Sequence, residues 1–337
     1  MKLQEWTRFV RGAVQTMESN GAAAFFRFSP QQQAIFRGVP DYYRQTFASA
    51  GVRWVFYTNS TSLTLRIHAR QASYRSYFSC DVLVNGRKVG SLDNFADQEL
   101  QRDYTMQQFS NDCIREGTFE LGDGSKTVSI IFPWSAETTV EECALDAGAF
   151  VEPVPAQKRL LAFGDSITQG YDALRPAHRY LARWAEAENG EEFNQAIGGT
   201  IFTPELVRRC TVSHPDAILV AYGTNDWNIC TQANFIENGS AFFAYLREQF
   251  PCVPITVITP IWRADTAAPR AFGPFERVEP LLRAIVSHDS NVRVISGASL
   301  VPHELSFYAD LCLHPNDAGF AEYYQNLERA CPVSGLF

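Results

Sequence analysis

Short apolar runs alternate with segments of helical periodicity throughout the part of the chain after residue 155, and this alternation constrains the fold most. The apolar runs lie at residues 159–163, 192–197, 216–222, 255–261 and 292–296, and the helical segments at 178–187, 204–210, 242–250, 277–286 and 318–327. Strands that alternate with helices form crossover units, which build a parallel sheet covered by helices on both faces. We therefore predict that residues 154–337 form an α/β domain with a doubly wound parallel sheet.

The first half of the chain carries strand signals at short spacing instead. Residues 63–70, LTLRIHAR, alternate apolar and polar side chains, as in a strand that buries one face. Asn85-Gly86 separates two strand-like runs and favours a tight hairpin turn, and residues 126–134 and 147–154 indicate further strands. These signals predict an all-β, jelly-roll-like sandwich.

The N-terminal segment has a pattern of its own. Its apolar residues share one face of a predicted helix that stops at Asn20-Gly21; they are Leu3, Trp6, Val10, Ala13, Val14 and Met17. A Pro-rich stretch at residues 151–155 marks a boundary, and 337 residues exceed the length over which one hydrophobic core usually grows. The sequence therefore predicts two domains, an N-terminal helix plus β-sandwich over residues 1–153 and the α/β domain over residues 154–337.

Charge and hydropathy exclude several classes of partner. The net charge of −8 gives the chain no general attraction for phosphate backbones or anionic lipid, so we expect no nucleic-acid partner. No run approaches the roughly 20 apolar residues that a membrane-spanning helix needs, and the N-terminal segment lacks the unbroken apolar core of a signal peptide. Eight cysteines without C-x-x-C pairs suggest neither zinc nor a disulfide framework. We therefore expect a cytoplasmic protein with no membrane partner.

Polar motifs follow three of the predicted strands and precede the last helix. They are GDS at residues 164–166, NQAIGGT at 194–200, GTND at 223–226 and DLCLHP at 310–315. Ligands bind beyond the carboxyl ends of the strands in a parallel sheet, so we expect these motifs to meet at one edge. Each motif alone also has a structural interpretation, because Asp and Ser cap helices, a Gly pair makes a turn, and Asn forms Asx turns.

The order and content of these four motifs resemble the sequence blocks of the SGNH (GDSL-type) ester hydrolase family, over residues 159–330. The resemblance implies a flavodoxin-like parallel sheet and an acyl-enzyme mechanism that needs no metal and no cofactor. It assigns the nucleophile to Ser166. It assigns the oxyanion hole to the backbone N–H of Ser166, the backbone N–H of Gly199 and the side-chain amide of Asn225. Gly198, beside Gly199, is the alternative donor.

A serine hydroxyl attacks a carbonyl only when a base takes its proton, and imidazole is the usual base. His314 is the best candidate among six histidines because the His-Pro pair and the residues after it predict a turn into a helix; His303, in a nearby loop, is the competitor. In the family the orienting aspartate stands three residues before this histidine, whereas here Leu311 occupies that position and Asp310 lies four residues before His314. Asp310 reaches the imidazole only if the loop bulges. Otherwise the site is a Ser–His dyad assisted by a backbone carbonyl, as in some members of the family.

The resemblance implies hydrolysis of short-chain acyl esters, acetyl esters above all, through an acyl-enzyme on Ser166. A sandwich ahead of an SGNH domain is similar to the order in carbohydrate esterases, so the expected substrate is a small-molecule or oligosaccharide ester. Two alternatives remain: a non-catalytic carbohydrate-binding protein with a degenerate hydrolase domain, and an acyltransferase that uses the same acyl-enzyme. Trp227 and Trp262 are candidates either for stacking on a sugar ring or for ordinary packing. The sequence indicates no particular oligomeric state.

Overall fold

A computed structural model describes residues 3–331, and the described residues form three β-sheets with helices around them. The strands are β1 Val10–Arg11, β2 Gln15–Ser19, β3 Ala22–Phe26, β4 Arg53–Thr58, β5 Ser62–Gln71, β6 Ser79–Val84, β7 Arg87–Asp93, β8 Asp112–Glu120, β9 Lys126–Ile131, β10 Ala136–Leu145, β11 Val151–Pro153, β12 Arg159–Gly164, β13 Glu191–Asn194, β14 Ala217–Ala221, β15 Ile255–Ile258 and β16 Val292–Ile295. The α-helices are α1 Leu3–Trp6, α2 Pro30–Ile35, α3 Pro40–Gln45, α4 Ser166–Gln169, α5 Tyr180–Ala187, α6 Pro204–Arg208, α7 Thr224–Ile229, α8 Gln232–Gln249, α9 Val278–Val286 and α10 Asp317–Ala330. None of the helices described is both long and apolar enough to cross a membrane.

The first half of the chain forms two antiparallel sheets. One has the strand order β1-β4-β9-β6-β7, with β11 also paired to β4, and the other has the order β2-β3-β10-β5-β8. β5 alternates as predicted, because its apolar side chains between Leu63 and Ala69 are buried and the side chains between them are not. The hairpin predicted at Asn85-Gly86 is confirmed by the antiparallel pair β6 and β7. Side chains of both sheets are buried in the same core cluster.

The N-terminal helix predicted through Met17 is wrong beyond Phe9. A 3₁₀-helical turn at Thr7–Phe9 follows α1, strand β1 then begins at Val10, and the segment just before Asn20 is strand β2, which pairs antiparallel with β3. Asn20 and Gly21 have φ angles of 52° and 80° and form the two-residue turn of this hairpin. Asn-Gly suits such a mirror-image turn as well as it suits a helix end. Met17 is 53% exposed, so the apolar positions of this segment do not share one buried helical face.

The second half contains the predicted parallel sheet. Its strand order is β13-β12-β14-β15-β16, and all four pairings are parallel. Side chains of β12 alternate between two cores: Leu160 and Ala162 join the core that includes α5 and α10, and Leu161 and Phe163 join the core that includes α6, α8 and α9. The prediction of a parallel sheet with helices on both faces is confirmed. The strand order reverses beside β12, and ligands of such sheets bind in the crevice at this point.

The first half contacts the loop that follows β13. The buried Arg27 side chain donates to the carbonyl oxygen of Asn194 at 3.1 Å and also to that of Ala196. Gln32 Nε2 donates to Oε1 of Gln195 at 2.7 Å. Burial lowers the pKa of the Arg27 guanidinium to about 9, so it remains a cation at neutral pH and its N–H groups all act as donors. The loop after β13 is therefore fixed by side chains from the other half of the chain.

Candidate active site

Ser166 stands at the first position of helix α4, directly after strand β12. Asp165 caps this helix, because its Oδ1 accepts the N–H of Ile167 at 3.0 Å. The hydroxyl of Ser166 is therefore left to make other contacts. α4 ends after one turn, since Gly170 adopts a left-handed φ of 113°. The serine is presented by a short helix at the carboxyl edge of the parallel sheet.

The side chains of Ser166, His314 and Asp310 form one continuous chain of hydrogen bonds. Oγ of Ser166 lies 2.7 Å from Nε2 of His314, and Nδ1 of His314 lies 2.6 Å from Oδ2 of Asp310. These distances fit a hydroxyl that donates to Nε2 and an Nδ1–H that donates to the carboxylate. The structure thus brings together the three residues that the sequence singled out.

The loop before α10 makes the bulge that Asp310 requires. Leu311 has a left-handed φ of 55°, and the backbone N–H of Ala309 donates to the carbonyl oxygen of His314 at 2.9 Å, so the loop doubles back on itself. Oδ1 of Asp310 also accepts three backbone N–H groups, of Cys312 at 3.0 Å, Leu313 at 2.8 Å and His314 at 3.0 Å. The extra residue relative to the family spacing is absorbed in this turn.

Asp310 is an anion wherever imidazole titrates. Burial alone raises the pKa of this carboxyl group, but the hydrogen bond from His314 and its charge, with the backbone N–H groups of Leu313 and His314, outweigh burial. The resulting pKa lies well below the usual range of an aspartate. A carboxylate that stays ionised can hold the proton on Nδ1 throughout the neutral range.

Two of the candidate oxyanion donors, the backbone N–H groups of Ser166 and Gly199, have no acceptor in the part of the chain that the structure describes. Among the residues described, none accepts a hydrogen bond from the N–H of Ser166 or from the N–H of Gly199, whereas Gly198 N–H donates to Oε1 of Gln169 at 2.8 Å. Gly199 has a left-handed φ of 84°, a conformation that suits glycine. Because the Gly198 N–H is already occupied, the geometry favours Gly199 over Gly198 as a donor to a ligand.

The third candidate donor, Asn225, lies in the first turn of α7 and is half-buried. Its Nδ2 donates to the carbonyl oxygen of Thr200 at 3.1 Å, which fixes the plane of the amide. An amide nitrogen carries two hydrogens, so the second one is available to a ligand. The bond to Thr200 also ties the end of β14 to the loop that carries Gly199.

Helix α3, from the first half of the chain, binds the loop that carries Gly198 and Gly199, called the glycine loop below. The Tyr42 hydroxyl donates to the carbonyl oxygen of Gly199 at 3.0 Å, and Gln45 Nε2 donates to that of Gly198 at 3.1 Å. Oε1 of Gln45 accepts the hydroxyl of Tyr171 at 2.7 Å. Both carbonyl groups of the loop are therefore satisfied from one side, which fixes the direction in which the N–H of Gly199 points.

Two buried carboxyl groups support the site without contacting the hydroxyl of Ser166. Burial raises the pKa of Asp165 to about 6 and that of Asp226 to about 7, although backbone N–H groups, chiefly those of Ile167 and Phe202 respectively, act to lower it. The bond from Phe202 to Oδ1 of Asp226 measures 3.1 Å. This bond connects α7 to the segment after Gly199, so Asp226 holds these two parts of the site together.

The competing candidates lie elsewhere. His303 is exposed, its Nε2 lies 2.7 Å from the carbonyl oxygen of Ala298, and its ring stacks on Trp262 at a centroid distance of 5.4 Å. Trp227 is fully buried and donates to the carbonyl oxygen of Gly273 at 2.8 Å, so it packs and is closed to a sugar ring. Trp262 is only half-buried.

Sequence reasoning missed one residue at the imidazole. Oδ2 of the buried Asp172 lies 3.6 Å from Nδ1 of His314, and Arg75 binds both carboxylate oxygens of Asp172. Asp172 belongs to none of the four motifs. Its partner Arg75 lies 97 positions away in the chain, in the other half, so no local pattern connects the two.

One group of described side chains has the spacing of metal ligands, namely Asp172, Asp310 and His314, with ligand atoms within 4.8 Å of one another. Both imidazole nitrogens already contact Ser166 and Asp310, and Arg75 Nε lies 2.6 Å from Oδ1 of Asp172. The guanidinium supplies the positive charge that a cation would bring. This donor set therefore fits a hydrogen-bonded site better than a metal centre.

Comparisons with known proteins found a family model and several similar folds. Residues 162–321 match the sequence model of the GDSL-like Lipase/Acylhydrolase family. The chain is similar in structure to the salicylyl-acyltransferase SsfX3 from a tetracycline biosynthetic pathway, with 21% identity and a TM-score of 0.76 over 95% of this chain and 93% of that chain. No curated protein matches the sequence significantly.

Two family two carbohydrate esterases are also similar. The one from Cellvibrio japonicus has 16% identity and a TM-score of 0.62, over 98% of this chain and 97% of that chain. The one from Clostridium thermocellum, in complex with cellohexaose, has 14% identity and a TM-score of 0.61, over 84% of this chain and 93% of that chain. At these identities the likeness concerns the fold. Residues 162–321 therefore form a domain of the GDSL-like lipase/acylhydrolase family.

Proposed function

We propose that this protein is a serine ester hydrolase that forms an acyl-enzyme on Ser166. The observation that carries the proposal is the hydrogen-bond chain from the Ser166 hydroxyl through His314 to Asp310, at 2.7 and 2.6 Å. Such a chain lets the imidazole take the hydroxyl proton while the carboxylate keeps Nδ1 protonated. A purely carbohydrate-binding protein has no use for this arrangement, so we favour the enzyme over the binding module.

The proposed reaction has two halves. In the first, Oγ of Ser166 bonds to the ester carbonyl carbon, its proton moves to Nε2 of His314, and the carbonyl oxygen becomes an oxyanion. The N–H groups of Ser166 and Gly199 and the amide of Asn225 stabilise this oxyanion. When the bond to the alcohol oxygen breaks, His314 gives the proton to the leaving alcohol. Water then attacks the acyl-enzyme by the same route, which releases the acid and restores the Ser166 hydroxyl.

The substrate we propose is a short-chain acyl ester, an acetyl ester above all, carried on a small molecule or an oligosaccharide. Two observations support it: the similar structures include family two carbohydrate esterases, and Trp262, on the loop after β15, is only half-buried. The negative net charge gives no attraction for nucleic acid, which we continue to exclude as a partner.

Acyl transfer is the second candidate function, and one observation favours it. The structure with the TM-score of 0.76 is named as a salicylyl-acyltransferase. Hydrolysis and transfer share the acyl-enzyme and differ in whether water or another alcohol attacks it. The same residues therefore serve either reaction.

We further propose that residues 1–153 form a jelly-roll-like β-sandwich domain and residues 154–337 the hydrolase domain. The core cluster shared by the two antiparallel sheets supports the sandwich. The contacts of Tyr42 and Gln45 with the glycine loop give that domain a task, since they hold Gly199 in place. A cytoplasmic location stays a prediction.

A substrate panel tests the proposed function. Acetylated mono- and oligosaccharides are compared with p-nitrophenyl esters of increasing acyl length, and products are analysed with and without a sugar acceptor, beside Ser166→Ala. We expect acetyl esters to react fastest and to yield free acid. Acylated acceptor as the main product would replace hydrolysis by transfer, and a wild-type protein that cleaves no ester would refute the esterase proposal.

Replacing Asp310 by asparagine is expected to lower kcat by about 10²- to 10⁴-fold. The amide would donate a hydrogen bond to Nδ1 of His314, which places the imidazole proton on Nε2, where it cannot accept from Ser166. Steady-state kinetics measure the effect. Asp317→Asn is the matched control, because Oδ2 of Asp317 lies 2.7 Å from Nδ1 of His178, a similar pair outside the site. A loss of only a few-fold for Asp310→Asn would support the dyad instead.

Replacing Asn225 by alanine is expected to lower kcat by about 10²- to 10³-fold with little change in KM, because the lost donor acts on the oxyanion of the transition state. The control is Asn228→Ala, an exposed asparagine of the same helix α7, which should keep normal turnover. An effect confined to KM would remove Asn225 from the oxyanion hole.

A further inference from the structure

A second carboxylate faces the imidazole of His314. Asp172 is fully buried, and its Oδ2 lies 3.6 Å from Nδ1, the nitrogen that Asp310 contacts at 2.6 Å. The longer distance is too great for a good hydrogen bond. A full charge at this distance nevertheless acts strongly on an imidazolium, because neither group is well exposed to water.

Side chains from the first half of the chain hold the carboxylate of Asp172 in place. Arg75, in the loop between β5 and β6, donates from Nε and Nη2 at 2.6 and 2.8 Å to the two oxygens. The Tyr77 hydroxyl donates to Oδ1 at 2.7 Å, and the Tyr104 hydroxyl donates to the backbone carbonyl of Asp172 at 2.5 Å. A bidentate guanidinium favours the ionised carboxylate and fixes its orientation.

We propose that Asp172 is a second positioning residue for His314, and that Arg75 sets how strongly the Asp172 charge stabilises the protonated imidazole formed during the reaction. The inference rests on the proposed function, because it gives His314 the task of accepting a proton. The inference also goes beyond the proposed function, because it gives Arg75, in the first half of the chain, an electrostatic effect on His314.

Arg75 limits how strongly the Asp172 carboxylate attracts the protonated imidazole of His314. A lone Asp172 charge would compete with Asp310 for the Nδ1–H of His314. The guanidinium draws the carboxylate to itself and cancels part of its field, since it is the nearest cation to both oxygens. Asp310 therefore keeps the short hydrogen bond, and Asp172 contributes a weaker attraction.

The other titratable or charged groups that face His314 or Asp172 remain unchanged in the variants below. They are Asp310, Ser166, Asp165, Tyr171, Tyr77, Tyr104 and, acting through Asp165, Arg263. Tyr171 stays neutral in the working range, because burial raises the pKa of its hydroxyl well above the usual value. A shift in the pH dependence of the variants therefore reports the charges of Asp172 and Arg75.

The test is the acid limb of the pH dependence, measured both as kcat/KM and as the rate of labelling by a fluorophosphonate probe. Asp172→Asn should move the midpoint of this limb down by about one pH unit, because the imidazole loses an attractive charge. The double variant Arg75→Gln/Asp172→Asn, which replaces the ion pair by a neutral hydrogen-bonded pair, should move it down by less. Asp317→Asn should leave it in place.

The double variant also protects the test against a folding failure, since Asp172→Asn alone leaves the Arg75 cation buried without its partner. A residue with a merely structural role would change the melting temperature and kcat but would not move the midpoint in this order. An unchanged midpoint in both Asp172 variants, or a midpoint that moves up, would overturn the inference.

A readout that needs no substrate separates this inference from the proposed function. Titration of the imidazole nitrogens by ¹⁵N nuclear magnetic resonance, with the His314 signals assigned from His314→Gln, should give the same order of midpoints. If the wild-type protein neither labels nor cleaves esters, the proposed function fails while this titration still decides the inference. If the wild type labels and the midpoints coincide, the inference alone fails.

Discussion

Ser166→Ala is expected to lower the turnover of ester substrates by about 10⁴- to 10⁶-fold, because the proposed acyl-enzyme forms on this hydroxyl. The hydroxyl lies 2.7 Å from Nε2 of His314 and is almost fully buried, so its loss removes the nucleophile and leaves the packing of α4 intact. The residual rate then comes from substrate binding and the oxyanion donors alone. Initial rates on acetyl esters measure the loss, and circular dichroism checks the fold.

The control for this substitution is Ser49→Ala, which removes another buried hydroxyl, in the segment before β4. We expect this variant to keep the turnover of the wild type within a few-fold. Equal losses in both variants would attribute the effect to stability, and wild-type turnover in Ser166→Ala would place the nucleophile elsewhere.

His314→Gln is expected to lower kcat by a comparable factor, about 10⁴- to 10⁶-fold, because the nucleophile and its base act as one unit. Glutamine keeps a polar side chain in the loop but cannot take a proton from Ser166. His178→Gln is a matched control, since His178 is paired with Asp317 as His314 is with Asp310. Near-normal turnover of His314→Gln, together with a large loss in His303→Gln, would move the base to His303.

The pH dependence follows from the same role. Only the neutral imidazole accepts a proton, so kcat/KM of the wild type should fall below about pH 6. Asp310 does not contribute a second limb in this range, because the charge of His314 and its hydrogen bond hold the pKa of that carboxyl well below its usual value. A flat profile between pH 5 and pH 7 would contradict a histidine base.

The α/β half was predictable because its strands are buried on both faces and its helices are amphipathic. In β12, Leu160 and Leu161 face different cores, which is why the sequence shows an unbroken apolar run there. Ligands of parallel sheets bind at the carboxyl ends of the strands, and the motifs with Ser166, Gly199 and Asn225 follow such ends. Their shared location was therefore predictable without any knowledge of side-chain contacts.

The N-terminal segment was not predictable in the same way, because its strongest local signal has two meanings. Asn85-Gly86 lies between two recognisable strands and was interpreted as a hairpin, whereas Asn20-Gly21 follows apolar residues at helical spacing. Both pairs form the same two-residue turn with positive φ. What decides between strand and helix for β2 is its pairing with β3, a contact that the period of one segment does not contain.

At the site, the sequence indicated the condition under which Asp310 reaches His314 but not whether it is met. The outcome depends on Leu311 accepting a left-handed backbone, which costs about 1 kcal/mol and is offset by the three N–H groups that Asp310 accepts. Asp172 could not be identified as a site residue from the sequence, because its role depends on the contact with Arg75, and only the fold brings these two residues together.

The acyl-enzyme mechanism is tested most directly by locating the covalent adduct that a fluorophosphonate probe leaves on the wild-type protein, by proteolysis and mass spectrometry. This mechanism predicts a single adduct on the peptide that contains Ser166, slow labelling in His314→Gln and none in Ser166→Ala. An adduct on another residue, or labelling of His314→Gln at the wild-type rate, would contradict it.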